Sequence, residues 1–200
     1  MNELWQELIK PEHKLLDIGC WNGQRILELK DKCNVYGMDI DESKFEGADE
    51  SIKPNLFQGD IIQGLECGEQ FDFVLLRDVI EHLYGEVEAL ENINAVMNDG
   101  GYLVLSTPKF VRFFNWYDPA WIRWNLGGKE PHRHFKKKDL FNLLHNCGFE
   151  VKHYHTEGTL RWVVSRWING FSKYVLRSKW QIKSDWELGH FEWVVVAKKK

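Results

Sequence analysis

The chain has 200 residues, of which 44% are hydrophobic and 28% charged, so it fits one globular domain and excludes a disordered chain. It contains no run of about 18 apolar residues that would predict a spanning helix, and no basic stretch followed by an apolar run opens it, so we expect a cytoplasmic protein. Its four cysteines form no CxxC pair, which predicts neither a zinc site nor a disulfide framework, and we expect no metal site.

Short apolar runs alternate with helical patterns over the first hundred residues, which is typical of βαβ units and a parallel sheet. We predict strands at 14–18, 34–39, 55–58, 71–76 and 102–106. Two helices are predicted between them, at 23–30 and at 85–97, and the second should stop at the Asn-Asp-Gly-Gly sequence of 98–101.

The pattern changes after Pro108, where aromatic residues become frequent. A helix at 136–147 and strands at 149–155 and 191–197 are still predicted. We expect one domain, 1–200, with a cofactor-binding half at 10–108 and lid segments at 109–131 and 157–188. The two lid segments hold seven of the ten tryptophans: Trp116, Trp121, Trp124, Trp162, Trp167, Trp180 and Trp186.

A glycine-punctuated turn follows the first predicted strand, in the sequence Asp17-Ile-Gly19-Cys-Trp21-Asn-Gly23. In a doubly wound sheet, ligands bind beyond the carboxyl ends of the strands. Gly19 allows a tight turn and a close approach of a ligand to the backbone. Amides near Gly23 can bind a carboxylate and Asp17 can orient an ammonium group, so the turn suits an amino-acid ligand.

Acidic residues also end the next two predicted strands. Asp39 lies about 20 residues beyond the turn, where a carboxylate can accept hydrogen bonds from ribose hydroxyls. Ile40 can pack on an adenine ring, and Asp60 can accept a hydrogen bond from its amino group. Each acid alone is more often a cap or loop residue, but three at successive strand ends indicate a nucleoside site.

The sequence resembles class I S-adenosylmethionine-dependent methyltransferases, particularly the small branch of ubiquinone-biosynthesis O-methyltransferases and related glycan and natural-product enzymes. The likeness lies in the glycine turn, the strand-end motifs Val-Tyr-Gly-Met-Asp39 and Gln-Gly-Asp60-Ile61, and the fourth-strand sequence 71–83. It continues in 98–108 and in Pro-His132-Arg-His134-Phe of 131–135.

The resemblance implies a doubly wound, mostly parallel seven-stranded sheet with an antiparallel last strand. It implies S-adenosylmethionine as the cofactor and S-adenosylhomocysteine as its product. The implied cofactor-binding residues are Asp17, Gly19, Cys20, Trp21, Gly23, Asp39, Ile40, Asp60, Ile61 and Arg77. Trp21 is a departure, because the family usually has glycine there; it either lines the acceptor pocket or weakens cofactor binding.

The candidate catalytic residues are His82, His132 and Asp78. His82 and His132 are candidate general bases for a hydroxyl acceptor, although either could instead be structural. Asp78 should shape the floor beside the methyl group. We expect His134 to be structural.

Charge is distributed unevenly along the chain. Residues 1–100 carry a net charge of −14 and residues 101–200 carry +10, which either pair on the folded surface or leave a basic face for an anionic partner. The basic, aromatic segment 158–180 resembles a helix that could contact a membrane or the phosphates of a carrier-linked acceptor. The acceptor is expected to be small or carrier-linked, and nucleic acid is disfavoured because the sequence has no RNA-binding module.

Two alternatives remain open from sequence alone. A dinucleotide site requires GxGxxG, whereas Gly19 and Gly23 are spaced GxxxG, which disfavours that class of cofactor. A non-catalytic binding or scaffold protein with the same fold is the second alternative, and Trp21 and the lack of an unambiguous base motivate it.

Overall fold

The computed structural model describes residues 4–65, 67–178, 180 and 191–200, and its centre is a seven-stranded sheet. The strand order is β3-β2-β1-β4-β5-β7-β6. The first five strands are parallel, and β7 is antiparallel to both of its neighbours. The strands are β1 Lys14–Ile18, β2 Asn34–Asp39, β3 Leu56–Gln58, β4 Phe71–Arg77, β5 Met97–Pro108, β6 Phe149–Glu157 and β7 Glu192–Lys199.

Five α-helices accompany this sheet in the described part of the chain. They are α1 Gln24–Leu29, α2 Glu86–Ala95, α3 Pro119–Asn125, α4 Lys137–Asn146 and α5 Leu160–Tyr174. Short 3₁₀ helices occur at Leu4–Leu8, Glu42–Gly47, Lys53–Asn55, Ile80–His82 and Asn115–Tyr117. No helix within the described residues has the length and hydropathy to cross a bilayer.

The central strands are buried on both faces, as the near-continuous apolar runs of their sequences predict. Leu16 and Val74 pack into one core cluster with α2 and α4. Leu15 and Phe73, their neighbours in the chain, pack on the opposite face with α1. The sheet therefore has a helical layer on each side, which confirms the predicted doubly wound fold.

Two local predictions were wrong. The helix predicted at 85–97 ends at Ala95, because Met97 pairs with Phe71 and is buried as the first residue of β5. The expected helix stop at 98–101 is therefore part of that strand, where the register of β4 and β5 shifts. The segment 109–131 looked irregular in sequence, yet Asp118 accepts a hydrogen bond from the amide of Ala120 and begins α3, with Pro119 at its first position.

Candidate active site

Two positions of the turn between β1 and α1 strongly favour glycine. Gly19 and Gly23 have φ values of 75° and 72°, in the left-handed region. A Cβ atom on Gly19 would lie 2.5 Å from Cγ2 of Val79, and one on Gly23 would lie 2.5 Å from Cδ1 of Ile52. The amides of Gly19 and Cys20 both donate to the carbonyl of Met38, which holds the turn against the end of β2.

Trp21 occupies a conformation that favours glycine, with φ of 54°. Its amide donates to Oδ2 of Asp39 at 2.9 Å, which compensates for part of the cost of this conformation. The side chain is 60% exposed, and Nζ of Lys44 lies 4.5 Å from its ring centroid. The indole thus points away from the core rather than filling a buried site.

The three strand-end acids lie along one edge of the sheet. Asp17 lies beside Gly37 in the β1–β2 register, and Asp39 ends β2. The amide of Gly59 donates to the carbonyl of Asp39 at 3.0 Å, so the chain leaving β3 passes beside this acid. Asp60 follows directly and accepts a hydrogen bond from the amide of Ile62 at 2.9 Å.

Asp17 is the buried member of this set, with 5% exposure. Burial raises the pKa of its carboxyl to about 6, although the charges of Arg25 and Arg77 oppose the shift. The charge of Asp39 adds to the rise. A further cation close to Asp17 would therefore favour its ionised form.

The remaining predicted cofactor residues differ in how accessible they are. Ile40 is 66% exposed beyond the end of β2, where its side chain is free to cover a planar ligand. Ile61 and Cys20 are buried, so they support the site from below. Burial also raises the pKa of the Cys20 thiol to about 12, and this group is therefore neutral.

The end of β4 presents a group of carboxylates, the exposed Asp78 and two buried glutamates, that sequence reasoning only partly identified. Asp78 follows Arg77, has φ of 54°, and lies 3.4 Å from the hydroxyl of Ser106. Glu81 and Glu192 are both buried. Burial and the charge of Asp78 raise the pKa of both carboxyls well above the usual range. Sequence analysis missed these two glutamates because an acid inside an apolar stretch gives no signal of its burial.

A cleft of about 780 Å³ opens beside this edge of the sheet. It brings together Trp21, His82 and His132, which are far apart in sequence. The rest of its lining comes from α3, the segment after it and α5: Ala120, Arg123, Trp124, Gly127, Gly128, Lys129, Glu130, Pro131 and Arg166.

The hydrogen bonds of the two cleft histidines define which ring nitrogen carries a proton. Nδ1 of His82 lies 2.9 Å from the carbonyl oxygen of Pro131 and must donate to it. Although His82 is partly exposed, desolvation of the side of its ring that packs against the protein lowers its pKa, and the neighbouring His132 lowers it further. His82 is therefore neutral at pH 7, and its Nε2 keeps a lone pair.

His132 is held by a buried carboxylate that the sequence analysis did not identify. Its Nε2 lies 2.7 Å from Oδ2 of Asp118. Asp118 also accepts hydrogen bonds from Arg166 at 3.0 Å and from His134 at 3.4 Å. Burial alone would raise the pKa of Asp118, but these three partners hold it well below its usual range. His134 also contacts Asn115, in agreement with a structural role.

A glycine turn and strand-end acids beside one cleft define a class of α/β proteins that bind a nucleoside-type cofactor at the carboxyl edge of the sheet. Residues 1–154 match the family model described as a methyltransferase domain. The chain therefore belongs to this family of methyltransferase domains.

Individual proteins agree with this family. The chain is 28% identical over 116 residues to the bifunctional methionine biosynthesis protein MetXA/MetW of Rhodopirellula baltica, and the alignment covers 52% of this chain and 18% of that protein. The chain thus spans less than a fifth of this curated relative.

Solved structures share the fold at low sequence identity. A SAM-dependent methyltransferase of Methanosarcina mazei aligns with a TM-score of 0.70 and 17% identity, covering 100% of this chain and 98% of that one. Magnesium protoporphyrin IX methyltransferase of Synechocystis, solved with bound SAH, aligns with a TM-score of 0.62 and 17% identity, covering 95% of this chain and 75% of that one.

Proposed function

We propose that this protein transfers a methyl group from S-adenosylmethionine to a small or carrier-linked acceptor bound in the cleft. The observation that carries the proposal is the position of the β1–α1 turn, because Trp21 of that turn lines the same cleft as His82 and His132. The motif resemblance supports the branch of small O-methyltransferases.

The residues of the site fit this cofactor. The glycine turn leaves no room for a Cβ at Gly19. Asp17 would pair with the ammonium group of the cofactor, which would stabilise the ionised carboxylate. Each oxygen of Asp39 accepts one backbone amide, from Trp21 or Asp41, and keeps a lone pair for a ribose hydroxyl.

Two further residues would complete the nucleoside site. Ile40 would cover one face of the adenine ring, since its side chain is exposed at the end of β2. Asp60 would accept a hydrogen bond from the amino group of the base. When bound, the cofactor supplies an electrophilic methyl group on a sulfonium, and the protein positions the acceptor in line with it and excludes water.

The cleft provides for the acceptor. His82 and His132 each hold one nitrogen as a donor to a fixed partner, Pro131 or Asp118, so the other nitrogen carries a lone pair that can take or hold an acceptor proton. Trp21 and Trp124 supply aromatic walls. This arrangement supports the interpretation of Trp21 as a residue of the acceptor pocket, and it does not favour the scaffold alternative.

Binding of S-adenosylhomocysteine to Asp39→Ala tests the cofactor placement. We expect affinity to fall by roughly 1–3 kcal/mol, because the ribose hydroxyls lose their acceptor. Isothermal titration calorimetry measures this change. Asp99→Ala is the control, since its exposed carboxylate lies at the opposite end of the sheet, and it should bind like the wild type. Equal affinity for all three proteins would contradict the proposed ribose site.

The outward face of α5 supports contact of the enzyme with a membrane. At 100° per residue, its exposed apolar side chains form a strip about 100° wide. The buried face instead contains Trp162, Ser165 and the ion pair of Arg166 with Asp118, so the apolar strip points away from the core. It consists of Leu160, Val164, Trp167, Ile168, Phe171 and Val175.

The positive charge of the segment around this strip indicates which kind of surface the strip contacts. The sequence 158–180 contains five lysines and arginines and no acidic residue. An exposed apolar strip in a basic segment favours the interface of an anionic bilayer. We therefore propose that α5 brings the cleft close to a lipid-linked acceptor.

A further inference from the structure

The two cleft histidines and the buried Glu81 point ligand-forming atoms at one another. One carboxylate oxygen of Glu81 and one ring nitrogen each of His82 and His132 all lie within 4.8 Å of one another. The centroids of the two imidazole rings are also 4.8 Å apart. The 3₁₀ helix Ile80–His82 supplies two of these residues, and the segment after α3 supplies the third.

The hydrogen bonds that orient the two histidines each use one ring nitrogen. The other ring nitrogen of each histidine is left to bind a metal ion. His82 donates from Nδ1 to Pro131, which leaves Nε2. His132 bonds to Asp118 through Nε2, which leaves Nδ1. A carboxylate that holds the far nitrogen of a histidine is the usual outer partner in a metal site, because it fixes the tautomer and orients the ring.

Nδ1 of His132 is an unusual atom within the described part of the molecule. The residue is only 5% exposed, and Nδ1 has no hydrogen-bond partner among the described residues. Glu81 beside it is 1% exposed, and the hydroxyl of Thr107 occupies one of its oxygens. A buried lone pair next to a buried carboxylate is unfavourable unless a proton or a metal cation lies between them.

We propose that Glu81, His82 and His132 bind one divalent transition-metal ion, such as Mn²⁺ or Zn²⁺, at the acceptor side of the cleft. Two imidazoles and a carboxylate suit these ions better than Mg²⁺ or Ca²⁺. His82 is exposed and lines the cleft, so an exogenous oxygen can reach the ion. Three protein ligands with an accessible position are typical of catalytic rather than structural metal sites.

A second group, Asp118, His132 and His134, has similar spacing but is a poorer site. Asp118 already accepts from Arg166, whose guanidinium lies 3.0 Å from its Oδ1. That positive charge repels a cation, and the acid is further saturated by the amide of Ala120. Asp118 is therefore the outer partner of the proposed site and not one of its ligands.

The proposed ion indicates that the methyl acceptor is a hydroxyl group. This inference rests on the proposed methyl transfer. A hydroxyl bound to the ion loses its proton to solvent more readily, because the cation stabilises the oxyanion. The oxygen then forms a bond to the methyl carbon as the carbon–sulfur bond breaks, and sulfur keeps the electron pair. When the ion is bound, the two imidazole lone pairs are its ligands, and solvent replaces them as the group that takes the acceptor proton.

Titration of the metal-stripped protein with Mn²⁺, followed by the EPR signal of the free ion, tests the site. We expect one ion per chain, with affinity at least about tenfold weaker in His82→Ala and Glu81→Gln. His82 is exposed, so its substitution should leave the fold intact. His145→Ala is the control, because this exposed histidine at the end of α4 lies outside the cluster, and it should bind Mn²⁺ like the wild type.

A parallel calorimetric titration with Zn²⁺ tests whether the site binds Zn²⁺ in preference to Mn²⁺. Equal affinity of wild type and His82→Ala for both ions, or failure of the wild type to bind either, would overturn the metal site. Binding of S-adenosylhomocysteine to the same samples separates the two proposals. A lost metal site with normal ligand binding leaves the cofactor proposal intact, whereas a folded protein that binds metal but no S-adenosylhomocysteine contradicts only the cofactor proposal.

Discussion

The ionised carboxylate of Asp17 is buried and therefore lowers the stability of the ligand-free protein. Burial raises its pKa from 3.8 to about 6, so the free fold favours the protonated acid. The stability that this preference contributes is complete below pH 3.8 and is lost as the pH rises through about 6. At neutral pH, Asp17 is therefore a prepared partner for a ligand ammonium group.

The variant Asp17→Asn separates stability from binding. We expect it to melt at an equal or higher temperature than the wild type at pH 7.5, because it removes a buried charge. It should bind S-adenosylhomocysteine more weakly by roughly 1.5–3 kcal/mol, the usual value of a hydrogen bond to a charged group. Scanning calorimetry and titration calorimetry measure the two effects.

The pH dependence of S-adenosylhomocysteine binding, compared between the wild type and Asp17→Asn, is a more specific test of this role. Wild-type affinity should fall as the pH drops below about 6, where the carboxyl is protonated, whereas Asp17→Asn should show a flatter profile. A wild-type profile that is flat between pH 5 and pH 7.5 would argue against Asp17 as the partner of the ammonium group.

At the scale of single elements, α5 shows what the sequence could and could not predict. Its basic and aromatic composition predicted an interfacial segment, but the face that points outward depends on what covers the other side. Arg166 belongs to the basic pattern in sequence, yet it turns inward to Asp118. The part of the lid prediction that falls on 179 and 181–188 lies outside the described residues.

Co-sedimentation with lipid vesicles tests the outward strip. We expect binding to vesicles that contain phosphatidylglycerol and much weaker binding to pure phosphatidylcholine, because the apolar strip needs the basic residues for attraction. The double variant Trp167→Ser and Phe171→Ser should bind at least about fivefold less, since both side chains are exposed on the strip.

Val87→Ser is the matched control, because Val87 is an exposed apolar residue on another helix, α2. It should bind vesicles like the wild type. The proposed membrane-contacting surface would be contradicted if the wild type bound neither vesicle type, or if it self-associated through the strip in solution.

For the whole molecule, the strand-end acids were predictable because parallel strands must end at the same edge of a sheet. Asp17, Asp39 and Asp60 could thus be placed at one edge of the sheet from their order alone, and their common site stays a prediction. Asp118 could not, because its partners His132 and Arg166 come from other parts of the chain, and no pattern in an irregular segment predicts such contacts. Glu192 escaped prediction for the same reason, since only the antiparallel pairing of β7 with β5 brings it to the site.

Ligand binding should stabilise the whole fold if the site lies where we propose. At a concentration of S-adenosylhomocysteine 100 times its dissociation constant, mass action adds about 2.7 kcal/mol to the free energy of unfolding. For a chain of this size, that corresponds to a rise in melting temperature of roughly 5–10 °C. Differential scanning fluorimetry measures the rise, with adenine alone as the control ligand. An unchanged melting temperature at saturating ligand would contradict the cofactor site.

The position of β7 has a consequence for the biosynthesis of the enzyme. This strand is made after β6, yet it inserts between β5 and β6. Until β7 has been synthesised, β6 has no partner in the sheet. The edges of β5 and β6 that later pair with β7 both stay unpaired during this time. Because β7 also carries Glu192 to Asp78 at the end of β4, a nascent chain can build its β1–α1 turn early but cannot complete this group of carboxylates until synthesis has passed β7.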